Sequence, residues 1–234
     1  MKMKNSIALV LIVMFGIFLF HIYERYQTQT ALNKTAAYYN SKAPAETGAA
    51  NVVTSIVVTY RGLDTLGEVT VLFLTAMIVG YILRQRGKAK TPKNTTSEIL
   101  ITAANILIPG SIILGAYVFI NGHLTPGGGF QGGAIIGTAI GLMILANPIG
   151  NIQKTALHYI ESLSGFTYIL IGLAGLILAG GFLDNRILPL GNLGELFSAG
   201  AIPIIYSLIG LKVGSELSSI LASINETTNN TAKS

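Results

Sequence analysis

The chain has 234 residues, of which 51% are hydrophobic and 11% charged, with a formal net charge of +5 and no cysteine. A soluble domain carries about 25% charged residues, so the composition excludes an ordinary soluble globule. The lack of cysteine excludes disulfides, thiolate-held iron–sulfur clusters and cysteine-ligated zinc.

Six apolar runs are each long enough, or nearly so, to cross a hydrocarbon core that needs about 20 residues: 5–22, 66–83, 99–120, 130–146, 163–183 and 199–213. The expected fold is all-α, a multi-pass membrane protein with about six transmembrane helices. The first run follows Lys2 and Lys4 and has the look of a signal peptide. No small-residue cleavage site follows promptly, and a retained anchor is expected. Residues 23–48 read as a polar loop, and 49–59 as a short apolar helix or re-entrant segment. Arg84, Arg86, Lys88, Lys90 and Lys93 cluster directly after the second run. That fits a cytoplasmic flank beside anionic lipid, and without aromatics or a recognition element it argues against nucleic acid. The lysine and arginine bias places both termini in the cytoplasm: ten lie on the inner side, Lys212 among them, and five on the outer. The polar tail from Asn225 is expected to be disordered.

Residues 121–133, Asn-Gly-His-Leu-Thr-Pro-Gly-Gly-Gly-Phe-Gln-Gly-Gly, sit between the third and fourth runs. Glycine loses too much backbone entropy and proline lacks its amide, so the segment cannot be a stable helix. At a bilayer edge its bare backbone has to be covered by protein or water. Gly122-His123-x-x-Pro126-Gly127-Gly128-Gly129-Phe130-x-Gly132-Gly133 resembles the signature of the B-type (MnhB/MrpB) family of multisubunit Mrp-type cation/proton antiporters. The likeness runs from about Glu98 to Leu221 and takes in His158-Tyr159-Ile160-Glu161 and Gly210-Leu211-Lys212-Val213-Gly214. Tyr60-Arg61-Gly62-Leu63-Asp64-Thr65-Leu66-Gly67-Glu68 is similar to a segment of the small E-type component of membrane-bound hydrogenases. The resemblance implies an E-type two-helix piece over 1–90, a basic linker over 91–98, a four-helix piece over 99–224 and the tail 225–234.

Few ionisable residues fall inside the runs. Glu68 lies about one turn inside the second run, where a carboxylate is costly unless paired or wet. It reads either as half of a capping box with Thr65 or as part of an ion path, with Arg61 and Asp64 as partners. His158 and Glu161 share a helical face. They read as a proton relay or as an interfacial ion pair, and the resemblance raises the standing of Glu161 because the family segment carries that carboxylate. Pro109 frees the Asn105 carbonyl in mid-span, which serves either a cation or water, or only a packing kink. Gly133, Gly137 and Gly141 form a stripe that lets another helix approach closely. His123 reads as a loop-ordering group or a proton gate. Lys212 and Glu216, four apart at the inner end of the last run, read as a snorkelling lysine and its neighbour.

No clustered acid/base set and no ligand spacing for a metal is present, so no catalytic residue and no cofactor are expected in this chain. The resemblance implies an accessory, non-catalytic subunit. It would help couple Na+ and H+ movement beside A-, C-, D- and G-like Mrp-type subunits in the bilayer of the cell membrane. The fused E-type piece leans toward a respiratory complex, a membrane-bound hydrogenase or a sulfane reductase with nickel or iron–sulfur subunits. A free-standing multisubunit antiporter is the alternative, and a self-sufficient transporter fits less well because no internal repeat accompanies the glycine motif.

Overall fold

A computed structural model describes residues 2–26, 31–85, 96–147 and 153–231, and among these the regular elements are helices alone. The chain divides into a unit of residues Met1–Ala37 and a unit of residues Tyr38–Ser234. In the first unit, α1 spans Lys2–Arg25 and exposes its apolar side chains along its length, as a span facing lipid or another subunit does. The helix α2, Lys34–Thr47, begins in this unit and ends in the second. The expected polar loop over 23–48 is therefore largely helical. Alanines and long polar side chains support the helix, and Asn33 Oδ1 accepts from the Ala36 amide at its start.

In the second unit a three-residue helix α3, Val52–Thr54, passes into a π-helical turn, Ser55–Tyr60, and then into α4, Gly62–Gln85. The four helices that follow are α5, Glu98–Ile120; α6, Gly129–Ala146; α7, Lys154–Leu178; and α8, Ile202–Thr231. Including α1, six helices among the described residues are long and apolar enough to cross a membrane. The linker expected at 91–98 falls mostly outside the described residues.

Three boundaries differ from expectation. The fifth span begins at Lys154 rather than 163 and ends at Leu178. The second begins at Gly62, so Thr65 is inside the helix and is not a cap; its hydroxyl donates to the Val57 carbonyl at 2.6 Å. The last helix continues far past residue 213 and stays helical through the polar stretch to Thr231. Its serines interrupt the hydropathy without interrupting the helix, because Ser215 and Ser218 donate to the Lys212 and Gly214 carbonyls.

The central element is α8, which contacts α4, α5, α6 and α7. Its buried Ile205, Ile209 and Val213 recur every four residues, giving an apolar face toward its neighbours. Small residues set the spacing. A Cβ on Gly132 would stand 2.5 Å from the Gly115 carbonyl oxygen of α5, and one on Gly133 would stand 2.7 Å from the Gly210 carbonyl oxygen of α8. Gly137 and Gly141 continue this face against Leu217 and Leu221. In lipid, where apolar burial gives little drive to associate, such backbone approach supplies dispersion contact instead. Pro109 lies within a continuous α5, on an exposed part of it.

Candidate functional site

The glycine loop, residues 121–128, is held by the segment before α4. Asn51 caps α3 with Oδ1, accepting from the Val53 and Thr54 amides, while its Nδ2 donates to the Gly122 and Thr125 carbonyls at 3.0 Å each. Thr54 Oγ1 also donates to the Gly122 carbonyl at 2.6 Å and accepts from the Tyr206 hydroxyl of α8 at 3.1 Å. The Tyr206 ring lies so close to Gly122 that a Cβ there would sit 2.6 Å from it. Gly127 takes φ +154 where the chain turns against Val118, and Gly128 and Gly129 lie against Tyr206 and Ile209. Pro126, just before them, lies in the turn that leads into α6.

His123 is fully buried in this loop. Its Nε2 lies 3.3 Å from the Glu195 carbonyl, to which it donates, and Nδ1 has no partner. Burial holds this imidazole below the ordinary histidine range, because a charge there would be desolvated. Beside the loop, Asn185 Nδ2 donates to the Thr47 and Ala199 carbonyls at 2.7 and 2.9 Å, fastening the end of α2 to the α7–α8 connection. An exposed cluster completes this end. The Glu46 carboxylate accepts from Tyr60 and Tyr38 at 2.5 and 2.7 Å, which lowers its pKa, and the Tyr39 and Tyr60 rings stack at 4.8 Å. Asp184 is held low by hydrogen bonds from Arg186.

The charged groups meet elsewhere, where α7 and α8 pack and α4 lies against α8. On α8, Glu216 is fully buried and its Oε1 lies 2.7 Å from Lys212 Nζ. The two meet off the angle of a hydrogen bond, and Oε2 has no hydrogen-bond partner. Lys212 is 9% exposed; its ammonium stands over the Phe73 ring of α4 at 4.8 Å, and its stem passes Gly165 of α7. The lysine therefore does not snorkel to an aqueous face. Ten residues separate it from Ile202, about 15 Å of helical rise, which places it inside the candidate span Ile202–Asn225 rather than at its end.

Glu161 is buried at 7% exposure on the α7 face that carries Ser164, Gly165 and Tyr168, with His158 Nδ1 3.5 Å from its Oε2. The structure thus pairs His158 with Glu161 on α7 and Lys212 with Glu216 on α8. Glu68 is exposed on α4, and its charge reaches the buried Tyr168 hydroxyl, which has no hydrogen-bond partner. Asp64 forms an exposed ion pair with Arg61. Asn105 is exposed on α5 and joins none of these groups. Among the described residues no group of three or more histidine or carboxylate side chains is placed to hold a metal ion.

Hydropathy hides the depth of Lys212 and Glu216, since Ser215, Glu216 and Ser218 look like the end of a span. A helical reading of 212 and 216 against the alternating glycines of the same helix is the available signal. Asn51, Thr54, Asn185 and Tyr206 carry no such signal, because their partners are far away in sequence.

Comparison with known proteins adds relatives to this geometry. Residues 99–219 match the model of a domain related to the MnhB subunit of Na+/H+ antiporters, and residues 3–98 match that of MbhE, the E-type component of MBH. An uncharacterized protein of Methanocaldococcus jannaschii is 31% identical over 200 residues, covering 72% of this chain and 74% of its own. A chain of the membrane-bound sulfane sulfur reductase, an archaeal respiratory membrane complex, is 42% identical with a TM-score of 0.82, covering 95% of this chain and 98% of that one. A chain of the Mrp complex from a Dietzia species shares the fold at a TM-score of 0.77 and 24% identity, over 96% of this chain and 26% of that one.

Proposed function

As this multi-pass membrane chain belongs to the family of domains related to the MnhB subunit of Na+/H+ antiporters, and carries an MbhE-type domain before it, we propose that it is a non-catalytic subunit of an Mrp-type cation/proton antiporter module within an ion-pumping respiratory complex. The observation that carries this reading is the 42% identity to a sulfane reductase chain over nearly the full length of both. In this role it binds no redox cofactor, sits in the cell membrane with both termini in the cytoplasm, and packs against A-, C-, D- and G-like subunits. Redox subunits bearing iron–sulfur or nickel centres lie beyond them.

Na+ and H+ are the ions moved. The chain's own contribution is the row of polar groups along α4, α7 and α8, from Glu68 through Tyr168 and Lys212 to Glu216, Glu161 and His158. A charged group inside hydrocarbon costs free energy unless it is paired or functional, which makes such a row the first place to seek an ion path. The glycine loop serves assembly, and residues 1–90 and 99–224 act as two pieces of one membrane unit. A free-standing Mrp-type antiporter is the second reading, favoured by the shared fold with the Dietzia complex.

The complex purified from native membranes in mild detergent separates the two. Iron–sulfur or nickel absorbance with co-purifying redox subunits is expected; antiporter subunits alone would support the second reading. Reconstituted in vesicles, Glu68→Gln is expected to lower sodium-linked proton movement roughly tenfold, the rate effect of about 1.4 kcal/mol, with complex yield unchanged. Normal transport in that variant would remove Glu68 from the path.

A further inference from the structure

A lysine and a glutamate four apart on one helix meet readily, but the shared helix does not decide which way the pair faces. On α8 burial sets the direction. Glu216 is fully buried and Lys212 nearly so, with Nζ 2.7 Å from Oε1 and off the angle of a hydrogen bond. The carboxylate therefore draws the ammonium without aligning it. An ammonium inside hydrocarbon turns toward any polar surface that its stem can reach, so a hold beyond Glu216 is needed to keep it in the bundle.

Two other helices shape that hold. On α7, Gly165 leaves a lane: a Cβ there would stand 3.4 Å from Cδ, Cε and Nζ of Lys212 alike, so the end of the stem passes across bare backbone. On α4, Thr65, Val69 and Phe73 recur every four residues on the packed face, the first two buried and Phe73 half-buried. The Phe73 ring centroid lies 4.8 Å from Nζ, within the ~6 Å over which a ring face attracts a cation. That attraction is stronger where water is excluded. The glycine lane only leaves room; the ring supplies the attraction.

We propose that Phe73 is a positioning residue for the ion row, its ring face holding the Lys212 ammonium on Glu216 inside the span. Phe73 lies in the stretch that matches MbhE, residues 3–98, whereas Lys212 and Glu216 lie in the stretch that matches the MnhB-related domain, residues 99–219. An ion pair of one piece is thus completed by an aromatic ring of the other, which binds the two pieces into one functional unit. The purpose of the held charge rests on the antiporter reading above; the hold itself does not.

The test replaces Phe73 by mono-, di- and trifluorophenylalanine in the full complex. Each fluorine draws electron density from the ring face and weakens its pull on a cation, with little change of shape. The thermal midpoint of the purified complex is expected to fall stepwise along the series, by roughly 2–4 °C in all. In the background Lys212→Met with Glu216→Gln, which has no ammonium at this place, the same series should be flat. In vesicles, sodium-linked proton movement per complex should fall in the same order, by about tenfold in all.

A series that is flat with Lys212 present, or equally steep without it, would overturn the proposal, because the ring would then only pack. A stepwise midpoint with equal transport across the series would also overturn it, since the contact would position nothing. A stepwise midpoint in a complex whose wild type moves neither ion would fail the transport reading and uphold the hold of Phe73 on Lys212.

Discussion

The glycine-loop end and the middle of the bundle both bury polar side chains, and they do so in opposite ways. At the loop end, the Asn51 amide has both ends satisfied inside the chain, and Thr54 links a loop carbonyl to Tyr206. What stays unpartnered there is neutral: His123 Nδ1, Asn185 Oδ1 and Ser198 Oγ. In the middle, Glu216 is wholly buried with Oε2 unpartnered, and among the described ion pairs the only charge beside it is the ammonium of the nearly buried Lys212 at 2.7 Å. Neutral groups that answer one another's hydrogen bonds specify a shape. A charge pair buried in an apolar bundle costs desolvation, and makes its place in the fold the first to search for function. The same fold thus separates a fastening from a site, about two helical turns apart along α8 from Tyr206 to Lys212.

The largest break in this contrast is expected at Lys212. Removing one partner of a buried ion pair costs about 3–5 kcal/mol, because the other charge is left uncompensated. Lys212→Ala should therefore lower the yield and thermal midpoint of the complex strongly. The paired variant Lys212→Met with Glu216→Gln should recover most of that stability and still fail to move ions normally. Recovery of both stability and transport would mean that the pair only packs.

A smaller effect, of the opposite kind, is expected at the loop. Asn51→Ala strips partners from the Gly122 and Thr125 carbonyls and from two helix-start amides, a loss of about 1–3 kcal/mol. Thermal midpoint and complex yield should fall, while transport per assembled complex stays at the wild-type level. Lower transport at unchanged assembly would join the loop to the ion path and erase the contrast.

These two regions also differ in how far the sequence reveals them. Long apolar runs declare the spans, and Gly133, Gly137 and Gly141 declare a helix face, because hydropathy and a period of four are local signals. The Pro126 to Gly129 turn is visible for the same reason. The clasp is not: Asn51 and Thr125 are distant in sequence, and any polar residue in any loop looks alike until its carbonyl partners are known. Glu161 and His158 stand out by their spacing on one helix. Glu216 does not, because three serines around it make a buried turn of α8 resemble an exit from the membrane, and Lys212 resembles an exit too. Only the packing of α4 and α7 against that turn shows that it lies inside the bundle.

The finest of these distinctions concerns His123, the loop's one titratable buried group. Burial depresses its pKa in the folded chain, so the unfolded chain takes up a proton near the ordinary value of about 6.5 and the folded chain only at lower pH. Between those two pH values the unfolded state binds more protons, and stability must fall as pH falls. Above about pH 6.5 both states are neutral and His123 adds no pH dependence. The thermal midpoint of the purified complex should thus hold steady from pH 8 to 7 and then drop by roughly 2–4 °C toward pH 5. His123→Gln keeps a side-chain donor toward the Glu195 carbonyl but cannot be charged, and it should remove that component of the decline. If the decline is unaltered in His123→Gln, acid acts through other groups, and the loop is a fastening with no titration of its own.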